Sequence, residues 1–121
     1  MKSLSGSDTL VPVPILTPRV LQEMIQRIVD AVDPAKIILF GSYAYGTPHT
    51  DSDVDILVIQ TTELPRHKRP AVIHRALAGL LIPKDIIVYT PTEVDEWKDI
   101  PQAFVTRILK MGVVVYDKDT R

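Results

Sequence analysis

Two short apolar runs, residues 37–40 and 56–59, flank a loop that is rich in glycine, proline and polar residues. Runs of branched and large apolar residues that end at turn-forming residues are typical of buried β-strands. A loop this short cannot contain the helix that normally connects two parallel strands. The two runs therefore predict neighbouring strands of a small mixed β-sheet flanked by helices, in a domain of the α/β (α+β) class.

Further elements follow from the periodicity of apolar residues and from helix caps. Thr17-Pro18 combines an N-cap residue with a proline at the first helical position, and apolar residues continue at helical spacing to Val32. The same reasoning makes Leu81 and Phe104 members of buried helix faces. We predict helices over residues 18–32, 66–81, 91–98 and 101–111, a helical turn at 42–45, and strands over 36–40, 53–60, 85–89 and 113–116.

Length and composition limit the class of protein. The 121 residues, 45% of them hydrophobic, predict one domain over residues 17–117 with short tails at 1–16 and 118–121. A net charge of −1 gives no basic footprint for sequence-independent nucleic-acid binding. The absence of cysteine excludes disulfides and cysteine-based zinc sites and fits a cytoplasmic location. No apolar run approaches the ~20 residues that span a membrane.

Three aspartates stand where predicted strands begin. Asp53 and Asp55 lead into the second apolar run, and Asp85 leads into a third. Side chains alternate along a strand, so Asp53 and Asp55 point the same way and repel each other unless a cation lies between them. Mg²⁺ prefers oxygen ligands and shares them with phosphates. Because Gly41 and Ser42 suit the close approach of a phosphate, the pattern indicates metal-assisted phosphoryl or nucleotidyl transfer.

The spacing of these residues carries a family resemblance. Gly-Ser, ten residues, and then Asp-x-Asp resembles the signature of the nucleotidyltransferase superfamily that includes DNA polymerase β, and the short chain is similar to its minimal nucleotidyltransferases, the MNT family. The resemblance covers residues 18–116 and implies a polymerase β-like fold. It implies that Asp53, Asp55 and Asp85 are catalytic carboxylates that bind two Mg²⁺ ions, and that Gly41 and Ser42 bind the nucleotide.

The resemblance also implies a function. Minimal nucleotidyltransferases are often the antitoxin half of a HEPN–MNT toxin–antitoxin pair and add AMP from ATP to a tyrosine of the toxin. By resemblance, the chain is expected to adenylylate a helical HEPN partner, with ATP as the nucleotide donor. One alternative is a non-catalytic antitoxin that neutralises its partner by contact, which three clustered like charges disfavour. A second alternative is a small-molecule nucleotidyltransferase, for which a chain this short lacks a substrate domain.

Other residues leave two interpretations open. Tyr45 stands where many members of the family carry arginine, and it fits either packing of the loop or stacking on a base. His49 fits an exposed loop residue or a substrate contact. The basic cluster of residues 66–69 fits a solvated surface or a contact to a triphosphate or an acidic partner. The sequence pattern also leaves open whether the chain forms an oligomer.

Overall fold

A computed structural model describes residues 16–46, 48 and 52–120. Within these residues, helices flank one four-stranded sheet, and a 3₁₀ turn, Arg66–Lys68, precedes the third helix. The helices are α1 (Pro18–Val32), α2 (Ser42–Tyr45), α3 (Arg69–Ala76), α4 (Pro91–Trp97) and α5 (Phe104–Met111), and the strands are β1 (Lys36–Phe40), β2 (Val54–Ile59), β3 (Lys84–Tyr89) and β4 (Val113–Asp117).

The sheet is mixed, with the strand order β3-β2-β1-β4. Strand β1 pairs antiparallel with both β2 and β4, whereas β2 pairs parallel with β3. The short loop between β1 and β2 requires the antiparallel pairing, and α3 supplies the crossover that the parallel pairing needs. The predicted fold class, a small mixed sheet flanked by helices, is confirmed.

Helices α1 and α3 cover one face of the sheet. Helix α1 begins as predicted: the Thr17 hydroxyl accepts a hydrogen bond from the Val20 amide at 3.2 Å, and Pro18 occupies the first turn. Met24 and Ile28 of this helix are fully buried. They belong to a core cluster in which α3 and the sheet take part, and its other buried members are Ile37, Leu39, Val54, Ile56, Val58, Ile73, Leu77, Ile82, Ile86 and Val88.

Helices α4 and α5 cover the opposite face. Thr90 and Glu93 form a capping box at the start of α4, as the sequence predicts. From α5, Val105 and Ile108 pack against Ile38 and other strand residues in a second, smaller core cluster. On this face, a cleft lies between α5 and the end of the sheet where β2 and β3 begin.

The predicted helix over residues 66–81 is shorter than expected. Helix α3 ends at Ala76, and Gly79 has a φ of 90° that takes the chain off the helical path. The Arg27 guanidinium of α1 donates a hydrogen bond to the Ala78 carbonyl at 2.8 Å, so this end of the helix has a partner from outside it. Leu81 is 91% exposed, and the prediction that it is buried is wrong.

The last helix begins at Phe104, three residues later than predicted from Pro101. The Ala103 amide donates to the Ile100 carbonyl at 3.1 Å, which places Pro101 at the second position of a turn, where its fixed φ is favoured. Phe104, predicted to be buried, is 47% exposed. Its ring meets Phe40 edge to face, with ring centroids 6.0 Å apart.

Some predictions fall outside the described residues. They concern residues 1–15 of the predicted N-terminal tail, His49 in the loop, and Arg121 at the C-terminus. Over the ranges that the structure does describe, none of the helices has both the length and the apolar character needed to cross a membrane.

Candidate active site

The parallel pairing of β2 and β3 brings two of the predicted carboxylates together. Asp55 is the second residue of β2, Asp85 is the second residue of β3, and the two are directly in register. Residues in register on parallel strands point to the same face of a sheet. Asp53 directly precedes β2 and is exposed. The strands therefore place Asp55 and Asp85 side by side on the face that α5 covers.

The pKa of Asp55 reflects both its burial and the charges of the two other carboxylates. Burial raises the pKa of Asp55, and the negative charges of Asp85 and Asp53 raise it further, in that order. Each like charge disfavours the ionised form of its neighbour. The two other aspartates that the sequence predicts at the site thus lie within electrostatic reach of Asp55.

The donor set suits a hard divalent cation, although the carboxylates have not converged on one point. Within the described part of the chain, no three acidic or histidine side chains are close enough to form a ready metal site. The side chains in reach of Asp55 are carboxylates, whose oxygens are the ligands that Mg²⁺ prefers. A cation among them would offset the repulsion that raises the pKa of Asp55, so the residues fit such an ion.

Gly41 lies against the Asp55 carboxylate. It follows β1 directly, and its φ of 75° and ψ of −161° are a combination that essentially only glycine adopts. A Cβ atom built on Gly41 would overlap the Asp55 carboxylate. Both its backbone conformation and its contact with Asp55 therefore require glycine, which gives the predicted Gly-Ser motif a physical reason.

Ser42 connects the Gly-Ser turn to the start of β2. It begins α2, which confirms the predicted helical turn, and its hydroxyl donates a hydrogen bond to the hydroxyl of Ser52 at 3.0 Å. Ser52 is buried and immediately precedes Asp53. The bond ties the turn at the end of β1 to the residues that lead into the carboxylates.

A cleft of about 510 Å³ opens over these groups. The ends of the strands form one wall, which includes Gly41, Asp55 and Asp85, and one face of α5 forms the other. Aromatic rings also line the cleft: Tyr45 is 50% exposed, and Phe104 stands across from the carboxylates. Exposed aromatic rings beside a polar group provide stacking surface for a planar ligand.

Arg107, which was not among the predicted site residues, also lines this cleft. A signal for it exists, because Arg107 follows Phe104 by three residues and precedes Met111 by four. Residues at these spacings share one face of a helix. A cation within an apolar helical face is therefore the pattern that identifies this position.

Two arginines of the basic cluster have partners within the protein and do not line the cleft. Arg69 is buried, and its guanidinium donates to the Glu93 carboxylate at 2.7 Å and to the Leu64 carbonyl at 2.8 Å. Arg66 stacks over the Tyr89 ring at 4.7 Å. The side-chain hydrogen bond from Arg69, with help from the Thr90 amide, lowers the pKa of Glu93 from 4.5 to about 2 against the opposing effect of burial.

Comparison with known proteins gives three related findings. A family model described as polymerase beta nucleotidyltransferase matches residues 22–121. A Methanocaldococcus jannaschii protein named "Putative protein adenylyltransferase MJ0141" is 31% identical over 80 residues, which make up 66% of this chain and 77% of that protein. A Sulfolobus solfataricus "putative nucleotidyltransferase" of known crystal structure has a TM-score of 0.59 at 22% identity, over 84% of this chain and 81% of that one.

A second crystal structure shares the fold with a comparable TM-score and the same sequence identity. It is described as a toxin–antitoxin with AMP-PNP, and it has a TM-score of 0.57 at 22% identity over 79% of this chain and 72% of that one. At these identities the two crystal structures establish the fold alone. The family model spans most of the sequence, including every predicted site residue. This chain therefore belongs to the polymerase β nucleotidyltransferase family and is a nucleotidyltransferase.

Proposed function

We propose that this chain is an Mg²⁺-dependent protein adenylyltransferase that moves AMP from ATP to a tyrosine of a helical HEPN toxin and so acts as its antitoxin. The observation that carries the proposal is the pair Asp55 and Asp85, in register at the heads of parallel strands beside Gly41. The protein acceptor is supported by the adenylyltransferase name of the relative and by the toxin–antitoxin structure that contains AMP-PNP.

The chain's own residues have separable roles in this proposal. Asp53, Asp55 and Asp85 hold two Mg²⁺ ions, and Gly41 and Ser42 receive the triphosphate. When bound, the two ions offset the negative charge that develops on the phosphate oxygens. Gly41 contributes by lacking a side chain, because a Cβ atom there would occupy the place of the Asp55 carboxylate.

Asp85 is the carboxylate best placed to accept a proton. It is exposed whereas Asp55 is half-buried, so an acceptor that enters from solvent meets Asp85 first. The tyrosine oxygen forms a bond to the α-phosphorus, the bond from that phosphorus to the β-phosphate bridging oxygen breaks, and pyrophosphate leaves. The hydroxyl proton of the tyrosine passes to Asp85.

The cleft is accessible to an acceptor on another protein. Its walls carry Tyr45 and Phe104, both about half exposed, and these rings offer stacking surface for the adenine base. The carboxylate edge of the cleft is open to solvent, because Asp85 is exposed. A side chain that projects from another protein can therefore reach the site, which a buried small-molecule site would prevent.

Transfer of label from α-³²P-ATP tests the proposal. The purified chain is incubated with Mg²⁺ and host extract, beside an Asp53→Ala/Asp55→Ala variant and an EDTA sample. We expect one labelled protein band that is absent from both controls, with AMP located on a tyrosine by mass spectrometry. An Asp99→Ala/Asp119→Ala variant, which removes two exposed carboxylates away from the cleft, serves as the matched control and keeps full transfer.

Other outcomes separate the alternatives. Absence of label on protein with each of the four nucleotides would contradict the proposal. If no protein is labelled and the Asp53→Ala/Asp55→Ala variant neutralises the partner in cells as the wild type does, the function is neutralisation by binding. Label that accumulates in small molecules of the extract, with none on protein, would instead indicate a small-molecule nucleotidyltransferase.

A further inference from the structure

The cleft combines clustered negative charge with a shortage of cations. Asp55 and Asp85 line it, and the short helix that follows Gly41 contributes Tyr45, an uncharged side chain, to the lining. The triphosphate of ATP carries several negative charges of its own. Among the described residues that line the cleft, Arg107 is the single cation. A nucleotide bound here therefore has one protein group of opposite charge within the cleft.

The guanidinium of Arg107 is available for a ligand. Its neighbours on the cleft face of α5 are apolar: Phe104, Ile108 and Met111. Among the described residues, no ion pair or side-chain hydrogen bond involves Arg107, although Arg27, Arg66 and Arg69 all have such partners elsewhere. A guanidinium has five N–H donors in a planar fork that matches the oxygens of a phosphate.

The helix that carries Arg107 is firmly seated. Val105 and Ile108 are 2% and 3% exposed, and Phe104 packs edge to face on Phe40 at the end of β1. At the other end of the helix, a Cβ atom built on Gly112 would lie 2.6 Å from the Ile38 side chain, so the chain there lies directly against the sheet. The position of Arg107 relative to the carboxylates is thus set by packing on both sides of it.

We propose that Arg107 binds the terminal phosphates of the nucleotide, the part that leaves as pyrophosphate. The carboxylates of one wall would hold the metal ions, and Arg107 would bind the terminal phosphates of the nucleotide from the opposite wall. This inference rests on the proposed function and deepens it by assigning the contact that distinguishes a nucleoside triphosphate from a monophosphate. It also gives α5 a binding role in addition to its role in the core.

Calorimetric titration with two nucleotides tests the inference. One ligand is α,β-methylene-ATP, whose α–β bridge the enzyme cannot cleave, and the other is AMP, both with Mg²⁺. We expect Arg107→Ala to weaken binding of the triphosphate analogue about ten- to hundredfold, as for the loss of a charge-assisted bidentate contact. Its affinity for AMP should change less than about threefold, because AMP lacks the terminal phosphates. Arg107→Lys should restore part of the loss.

Lys110→Ala is the matched control. Lys110 is an exposed cation on the same helix that does not line the cleft, so its removal should leave both affinities unchanged. Equal losses for AMP and the analogue, or no loss for either, in Arg107→Ala would overturn the inference while the wild-type chain still binds nucleotide. A wild-type chain that binds neither ligand would overturn the proposed function as well. Thermal unfolding of each variant confirms that it is folded.

Discussion

Replacement of Gly41 by alanine should damage the site far more than the fold. The φ of 75° and ψ of −161° at Gly41 lie in a region where a non-glycine residue costs about 1–3 kcal/mol. At about 4 °C per kcal/mol for a chain of this size, the melting temperature should fall by roughly 4–12 °C. The added Cβ atom would also overlap the Asp55 carboxylate and displace it. A displacement of ~1 Å at a reacting centre lowers a rate about 100-fold.

Gly46→Ala separates backbone strain from this displacement. Gly46 has a φ of 77° and a ψ of 20°, so alanine there costs about 1–2 kcal/mol. A Cβ atom on Gly46 would meet no heavy atom within 4 Å. Both variants should therefore melt at lower temperature, and Gly41→Ala alone should lose label transfer and metal-dependent nucleotide binding. Equal activity in the two variants, at comparable stability, would refute the argument that Gly41 is required by its contact with Asp55.

Three further predictions concern charge and packing. The folded-state pKa of Glu93, about 2, lies below its ordinary value of 4.5. The stability from its bond with Arg69 is therefore complete above pH 4.5 and is lost as the pH falls from 4.5 to 2. Urea unfolding should show a loss of about 1–2 kcal/mol over this pH range in the wild type and no such loss in Glu93→Gln. Asp55→Asn should raise the melting temperature in EDTA by about 2–5 °C, because one of three carboxylates that repel each other becomes neutral. The same variant should lose the stabilisation that added Mg²⁺ gives the wild type. An unchanged melting temperature in EDTA would contradict this prediction. Leu77→Ala should cost about 2–5 kcal/mol in urea unfolding because Leu77 is buried, whereas Leu81→Ser should cost less than about 0.5 kcal/mol because Leu81 is exposed.

The local parts of the structure were predictable from the sequence. Helix α1 has its own cap and proline, and the strands β1 and β2 have continuous apolar runs bounded by turns. Asp55 and Asp85 lie side by side because each is near the head of a strand and the two strands pair in register. Position within a strand is a local property, so sequence spacing predicted which residues the sheet would gather.

Features that depend on distant partners were not predictable. The helix before β3 ends early because Gly79 turns the chain and Arg27, from another helix, donates a hydrogen bond to the Ala78 carbonyl. The exposure of Phe104 depends on how α5 meets the end of β1, which a helical pattern does not specify. Arg107 was missed for the same reason: its spacing places it on a helix face, but only the tertiary structure shows that the face borders the carboxylates.

The register between Asp55 and Asp85 also links the proposed metal site to the order of folding. The two residues belong to a parallel pair whose connection runs through α3, so they meet only after this non-local crossover has closed. The hairpin of β1 and β2 is more local and already contains Asp55. A chain that has formed its helices and this hairpin still lacks the partner carboxylate on β3. The proposed Mg²⁺ site is therefore complete only when the whole sheet has formed, so an ion bound there would stabilise the finished sheet relative to partly folded chains.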